Sequence, residues 1–436
     1  MSQLGMDVKS RLLALSKHRF GRQVAVLVSG TVLAQGLVML SSPIITRLYL
    51  PEALGIVAIF TSLINLASVL TSAAYQNAVP LPKDDREAVR ILQLTLMLLA
   101  IASGIALLVL IGLTFIAPQQ QWRGALGSYV WLLPAGIFLY GGFRVMAYWP
   151  TRKQAFALAS RAKLAQSLAL VFVQVLAGWL LAGVMGLIVG VLLGALSGLV
   201  LLARLPGNAS AVPLWKIKFD EIRQVASRYR RFPIYAAVPS FLESLSLDLP
   251  VLLLAWMFDA QVAGWCALSQ RVLAVPATFI ATAVEQAFMG EAAARVRSSA
   301  ASIQPLLTKM ILLMVVVGVP CVAVLAIFGP ALFGVVFGGK WVQSGLFVRL
   351  LAPMYLMQIV ASPTSSTLDV LERQDLYVAR VILRLILMPG SMVVAWLLHL
   401  SAENVVAVLG ITGCLTYVAY LAISLVAARG ATKQLA

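Results

Sequence analysis

The chain has 436 residues, of which 61% are hydrophobic and 11% charged, with a mean hydropathy of +0.95. Ordinary soluble chains run about 25% charged, so this one could not cover a soluble surface, and no polar stretch reaches the ~50 residues of a separate catalytic domain. Lys and Arg number 33 against 16 Asp and Glu, a net charge of +17, while three cysteines in apolar runs and two histidines leave little material for a disulfide framework or a zinc site.

Residues 1–22 form a polar, basic arm carrying Lys9, Arg11, Lys17, His18, Arg19 and Arg22, with leucines between them. The first apolar run, Val24 to Thr46, exceeds a secretory h-region and reads as an uncleaved first span. Further runs fall at 56–79, 92–116, 129–149, 164–181, 186–203, 233–258, 262–288, 306–328, 346–367, 380–398 and 405–426. At one crossing per ~20 apolar residues, the reading is an all-α polytopic membrane protein of about twelve transmembrane helices.

Loop charge sets the direction. With the N-terminus inside, the cytoplasmic segments hold 26 of the 33 basic residues, the outer joints hold Arg47, Arg123 and Lys340, and Arg144, Arg271, Arg349 and Arg384 lie in or at the edges of spans. Both termini are therefore expected in the cytoplasm of a multi-pass protein, and the positive charge reads as topology rather than nucleic-acid binding.

The longest cytoplasmic joint divides the chain. The expected layout is a basic arm over 1–22, a first six-helix half over 23–204, an amphipathic connector over 205–232, a second six-helix half over 233–427 and a tail over 428–436. The connector places Trp215, Ile217, Phe219, Ile222, Val225 and Tyr229 among basic residues, which suits a helix lying on anionic lipids. A faint repeat supports the two halves: Gly55 and Ala58 at the first outer joint align with Gly264 and Ala267 at the equivalent joint of the second half. Two halves entering the membrane in the same direction are a common transporter plan, with the substrate path between them.

Two segments carry more than architecture. Residues 43–55 read Pro-Ile-Ile-Thr-Arg-Leu-Tyr-Leu-Pro-Glu-Ala-Leu-Gly, and residues 75–88 read Tyr-Gln-Asn-Ala-Val-Pro-Leu-Pro-Lys-Asp-Asp-Arg-Glu-Ala. Together they resemble the bacterial polysaccharide-repeat-unit (O-antigen or exopolysaccharide) flippases of the multidrug/oligosaccharidyl-lipid/polysaccharide exporter superfamily. Residues 269–273, Ser-Gln-Arg-Val-Leu, are similar to a second-half element of that family. The resemblance implies two six-helix halves forming a V around a central cavity, in the bacterial inner membrane. It further implies alternating-access translocation of an undecaprenyl-diphosphate-linked glycan from the cytoplasmic to the outer leaflet. Such a protein is no enzyme and holds no cofactor beyond H+ or Na+ coupling. Its partners would be anionic lipids, a polysaccharide polymerase and a chain-length regulator, without nucleic acid.

A charge near mid-bilayer costs on the order of 3 kcal/mol on insertion scales and is retained where it faces water or a partner. Arg144 and Arg384 lie close enough to the inner end of their spans to snorkel, Arg349 can do so outward, and Glu285 sits near an inner end. Glu243, Asp248 and Arg271 are deepest. Arg271 is the leading substrate contact, because a guanidinium pairs with a diphosphate or an acidic sugar. Its structural alternative is an ion pair with Asp248 or Glu243. Those two acids, five residues apart, lie about 140° apart on a helix; either could couple ions or gate, or be a hydrogen-bonded structural acid. Arg47 at the outer mouth and Arg144 after Gly141-Gly142 are further substrate candidates, each with interface anchoring or snorkelling as the plainer role.

Rival functions are a small-molecule or multidrug exporter of the same superfamily, and a membrane-embedded polysaccharide polymerase or transferase. The second needs a clustered acid or base and a large outer loop, and the outer joints here are short.

Overall fold

The computed structural model describes residues 29–116, 124–181, 183–203, 218–275, 277, 304–361 and 373–435. Among them there is no strand, and eleven helices are long and apolar enough to cross a membrane. The missing member of the expected twelve is the eighth: its helix, α10, is described over 260–275, and the rest of that span, with Glu285, lies outside the described residues.

In chain order the helices are α1 Ser29–Leu48, α2 Pro51–Thr71, α3 Asp85–Ile116, α4 Leu133–Met146, α5 Tyr148–Arg152, α6 Phe156–Trp179 and α7 Gly183–Ala203. The short α8, Phe219–Arg228, precedes α9 Val238–Met257. After α10 come α11 Gln304–Val336, α12 Val342–Ala361, α13 Gln374–Leu397 and α14 Ala402–Leu435. Local chemistry sets several ends. α2 starts on Pro51 with Glu52 in its first turn, where proline needs no N–H and an acid meets the helix dipole. The Asp84 carboxylate accepts from the Arg86 N–H at 3.1 Å, a cap that begins α3 seven residues before its apolar run.

The described residues divide into two compact units. Unit one draws on Met1–Ser41, Ala67–Trp122 and Tyr129–Ala237, and unit two on Ser42–Leu66, Arg123–Ser128 and Val238–Ala436. Residues 42–66 and 123–128 of the expected first half group with unit two, and 233–237 of the expected second half with unit one.

In unit one, α7 buries Gly186, Gly190, Gly194 and Gly198, a small-residue stripe every fourth position that packs against α6 and α4. The first turns of α3 are buried, but Ile101, Ile105, Leu108 and Phe115 farther along it are exposed, as a lipid-facing surface requires. On α8, Ile222 and Val225 are buried and the helix packs on α3, while Phe219 is exposed; Trp215 and Ile217 lie outside the described residues. Arg90 donates to Glu221 at 2.6 Å, Arg228 to Glu87 at 2.7 Å, and the Tyr75 hydroxyl to the Ala226 carbonyl at 3.2 Å. Part of the basic charge read as topology thus also ties the connector to the first half.

In unit two, α11, α12 and α14 enclose a core that includes Met314, Val322, Ala352, Ile359 and Val360. Two prolines interrupt α11, Pro320 and Pro330. Pro330 has no N–H for the Ala326 carbonyl four residues back. Arg349 fills the vacancy: its Nε donates to Ala326 O at 2.9 Å and its Nη2 to Ile327 O at 3.0 Å. The outward snorkelling expected of Arg349 therefore gives way to satisfying backbone that a proline left bare.

Candidate substrate-binding site

The family-like segment 43–55 is mostly structural in its contacts. Ile45 and Tyr49 are buried, and the Thr46 carbonyl accepts from the indole of buried Trp341 at 2.8 Å. Arg47 is exposed, its Nη2 lying 3.5 Å from the Val335 carbonyl at the end of α11. The second segment, 75–88, is a docking platform in unit one: Arg152 donates to the Val79 and Pro82 carbonyls at 3.2 and 2.6 Å and to Asp85 at 3.1 Å, and Lys153 also pairs with Asp85. Arg144 is half-buried in the last turn of α4, beside Tyr148.

Glu243 and Asp248 point to different helices, as their five-residue spacing on α9 requires. Asp248 reaches α2, accepting from Asn65 at 2.6 Å and Ser62 at 3.1 Å. Glu243 reaches α13, accepting from the Tyr377 hydroxyl at 2.7 Å.

Arg271 pairs with neither acid and makes no hydrogen bond or ion pair among the described residues. Its side chain is exposed, whereas Leu268, Ser269, Val272 and Leu273 around it on α10 are buried. It is an exposed cation on α10 with no hydrogen-bond or ion-pair partner among the described residues.

The expectation that Arg384 snorkels to a membrane surface is not met. α13 begins at Gln374, so Arg384 lies ten residues inside it, and its guanidinium donates to Ser246 Oγ at 2.8 Å. Arg380, scored from sequence as a loop charge, is buried one turn earlier. The signal that could have found them is paired spacing: Arg380 and Arg384 four apart, facing Tyr417 and Tyr420 three apart on the last span.

Outside the spans, the Lys218 ammonium, followed by Arg90, holds the exposed Glu221 carboxyl below its ordinary value. Burial, then the Glu87 carboxylate, pushes the Tyr229 phenol up. No group of three His, Cys, Asp or Glu side chains among the described residues could hold a metal.

No curated protein matches the chain. Its fold is similar to that of a multidrug resistance MATE family transporter of the MOP superfamily solved in an inward-facing conformation, with 16% identity, a TM-score of 0.71, and 92% of this chain and 95% of that one covered. It is also similar to a eukaryotic MATE transporter (13% identity, TM-score 0.60, 96% and 99% covered). A third likeness is to a MOP superfamily transporter from Pyrococcus furiosus, for which a binding pocket of reverse polarity suggests a different function (15% identity, TM-score 0.59, 95% and 96% covered). The sequence itself matches the family described as polysaccharide biosynthesis protein over residues 44–345, which takes in both segments singled out above but for Pro43, and Arg271. The chain therefore belongs to the polysaccharide biosynthesis protein family, on the fold of the MOP superfamily transporters.

Proposed function

We propose that this protein is a flippase that moves an undecaprenyl-diphosphate-linked oligosaccharide repeat unit from the cytoplasmic to the outer leaflet of the bacterial inner membrane. It works by alternating access, with both termini in the cytoplasm, and supplies cell-surface polysaccharide synthesis. The observation that carries this reading is Arg271: an exposed guanidinium on α10, without a protein partner among the described residues, in a chain of the polysaccharide biosynthesis protein family. A cation kept there at an insertion cost of about 3 kcal/mol has a task other than packing, and a diphosphate supplies the matching charge. Arg144 and Arg47 are secondary contacts for the anionic head group. Asp248, on Asn65 and Ser62, and Glu243, on Tyr377, are the acids through which H+ or Na+ is coupled.

A second reading, export of a small molecule, is favoured by the likeness to multidrug transporters. One experiment separates the two. Vesicles reconstituted with the protein receive a fluorescent lipid-diphosphate-sugar, and its exposure to a membrane-impermeant quencher is followed with time. Protein-dependent exposure, lost in Arg271→Gln, supports the flippase. Movement of an organic cation, with the lipid-linked sugar immobile, supports the exporter.

A further inference from the structure

Unit two contains a second cationic centre that Arg271 does not touch. Arg380 and Arg384 occupy one face of α13, four residues apart, about 9 and 15 Å along the helix from Gln374. They are only 5% and 7% exposed. Arg384 is anchored: Nε donates to Ser246 Oγ at 2.8 Å, Nη2 lies 3.4 Å from the Glu243 carbonyl, and the Tyr417 phenol lies beside it. Arg380 is placed but not satisfied. Its guanidinium stacks over the Tyr420 ring at 4.2 Å, and the Tyr420 hydroxyl donates back to the Arg380 carbonyl. Its Nε and Nη1 are buried and meet no acceptor among the described residues.

The charges do not balance. Among the described residues Glu243 is the carboxylate shown reaching this cluster, and it is engaged by Tyr377. The Tyr377 and Tyr420 hydroxyl protons are already given to Glu243 and to the Arg380 carbonyl, so the unspent donors of this centre are Nε and Nη1 of Arg380. A buried cation left this way is strongly unfavourable unless an anion completes it. A carboxylate would bring one charge, whereas a phosphate brings up to two with three acceptor oxygens.

We propose that Arg380 and Arg384, with Tyr377, Tyr417 and Tyr420 around them, form an anion site that takes the phosphate group of a phosphorylated ligand. The site is separate from Arg271 and does not depend on which cargo the protein carries. The phosphate can belong to a lipid or to a water-soluble molecule.

The test is thermal unfolding of the purified full-length protein, followed by tryptophan fluorescence, with sodium diphosphate, farnesyl diphosphate or sodium glucuronate added. At least one diphosphate should still raise the midpoint of Arg271→Gln, which lacks the other cationic contact proposed above, and glucuronate should not; a diphosphate response present in wild type and abolished in Arg271→Gln overturns the site. A response to inorganic diphosphate marks a free anion as sufficient; a response confined to farnesyl diphosphate marks a lipid. Arg380→Met should melt no lower than wild type without ligand, since it removes a buried unpaired cation, and should bind roughly tenfold to a hundredfold more weakly. Wild type insensitive to both diphosphates, an equal response to glucuronate, or an Arg380→Met protein that binds as wild type overturns the site. Where Arg380→Met does not fold, Arg380→Lys replaces it, and wild-type binding by that variant overturns the site equally.

Discussion

Gly55 on α2 and Gly264 on α10 press against each other through a reciprocal contact. A Cβ on Gly55 would stand 1.6 Å from the Ala260 carbonyl oxygen, and a Cβ on Gly264 would stand 1.9 Å from that of Pro51. Each glycine meets the carbonyl four residues before the other, so the contact has the self-complementary form of a two-fold interface. The aligned repeat at 51–58 and 259–267 is therefore also a place where its two copies meet. Only glycine permits backbones this close.

Gly55→Ala and Gly264→Ala should each destabilise the protein by about 1–3 kcal/mol, the range for overpacking a close contact. The double variant should lose little more than either single one, because both side chains part the same pair of helices. Thermal unfolding of the four proteins checks this, and additive losses would mean that the two glycines act separately.

Arg349 and Pro330 make a similar bargain with backbone in place of side chains. Replacing Arg349 by Met strands the Ala326 carbonyl in an apolar setting and should cost about 1–3 kcal/mol. Pro330→Ala returns an N–H to that carbonyl, so the same replacement should be milder in the alanine background. Unfolding of the four combinations gives the coupling directly; equal losses in both backgrounds would refute the link.

Attachment of α8 should depend on pH through Glu221. Its carboxyl titrates below the ordinary 4.5, held down first by Lys218 and then by Arg90. A depressed folded pKa means that its contribution is complete above the unfolded value and is lost as pH falls through the folded one. A spin label at exposed Gln224→Cys should therefore be ordered at neutral pH and loosen only below about 4.5. Lys218→Gln should move the loosening to higher pH, whereas an unmoved midpoint would show that Lys218 does not govern it.

The spans were legible because hydropathy is a property of each segment alone, and Glu243 and Asp248 were separable because helical geometry fixes their angle. The partners of buried charges were not legible. Ser246, Tyr417 and Tyr420 come to Arg384 and Arg380 from helices distant in sequence, and nothing local to α13 announces them. The start of α13 at Gln374 also carries both arginines deeper than an apolar run beginning at 380 implies. The protein contacts of α8 were not legible for a related reason: an amphipathic face fits lipid or protein equally, and only the fold brings Glu87 to Arg228 and Arg90 to Glu221.

Arg271 gives the sharpest test of the transport mechanism. A cation held in an ion pair leaves an orphan acid when it is removed, and the protein loses stability. Asp248 and Glu243 are instead held by Asn65, Ser62 and Tyr377. Arg271→Gln should consequently unfold at the wild-type temperature or slightly above it. Transport of a lipid-diphosphate-sugar should fall by roughly tenfold to a hundredfold, the worth of one charge-assisted hydrogen-bonding group at ~1.5–3 kcal/mol. Arg271→Lys should recover part of the loss, because an ammonium keeps the charge without the planar fork. A marked drop in stability, reversed when Asp248 or Glu243 is also neutralised, would make Arg271 a structural partner instead. Full transport by a stable Arg271→Gln protein would remove it from the mechanism.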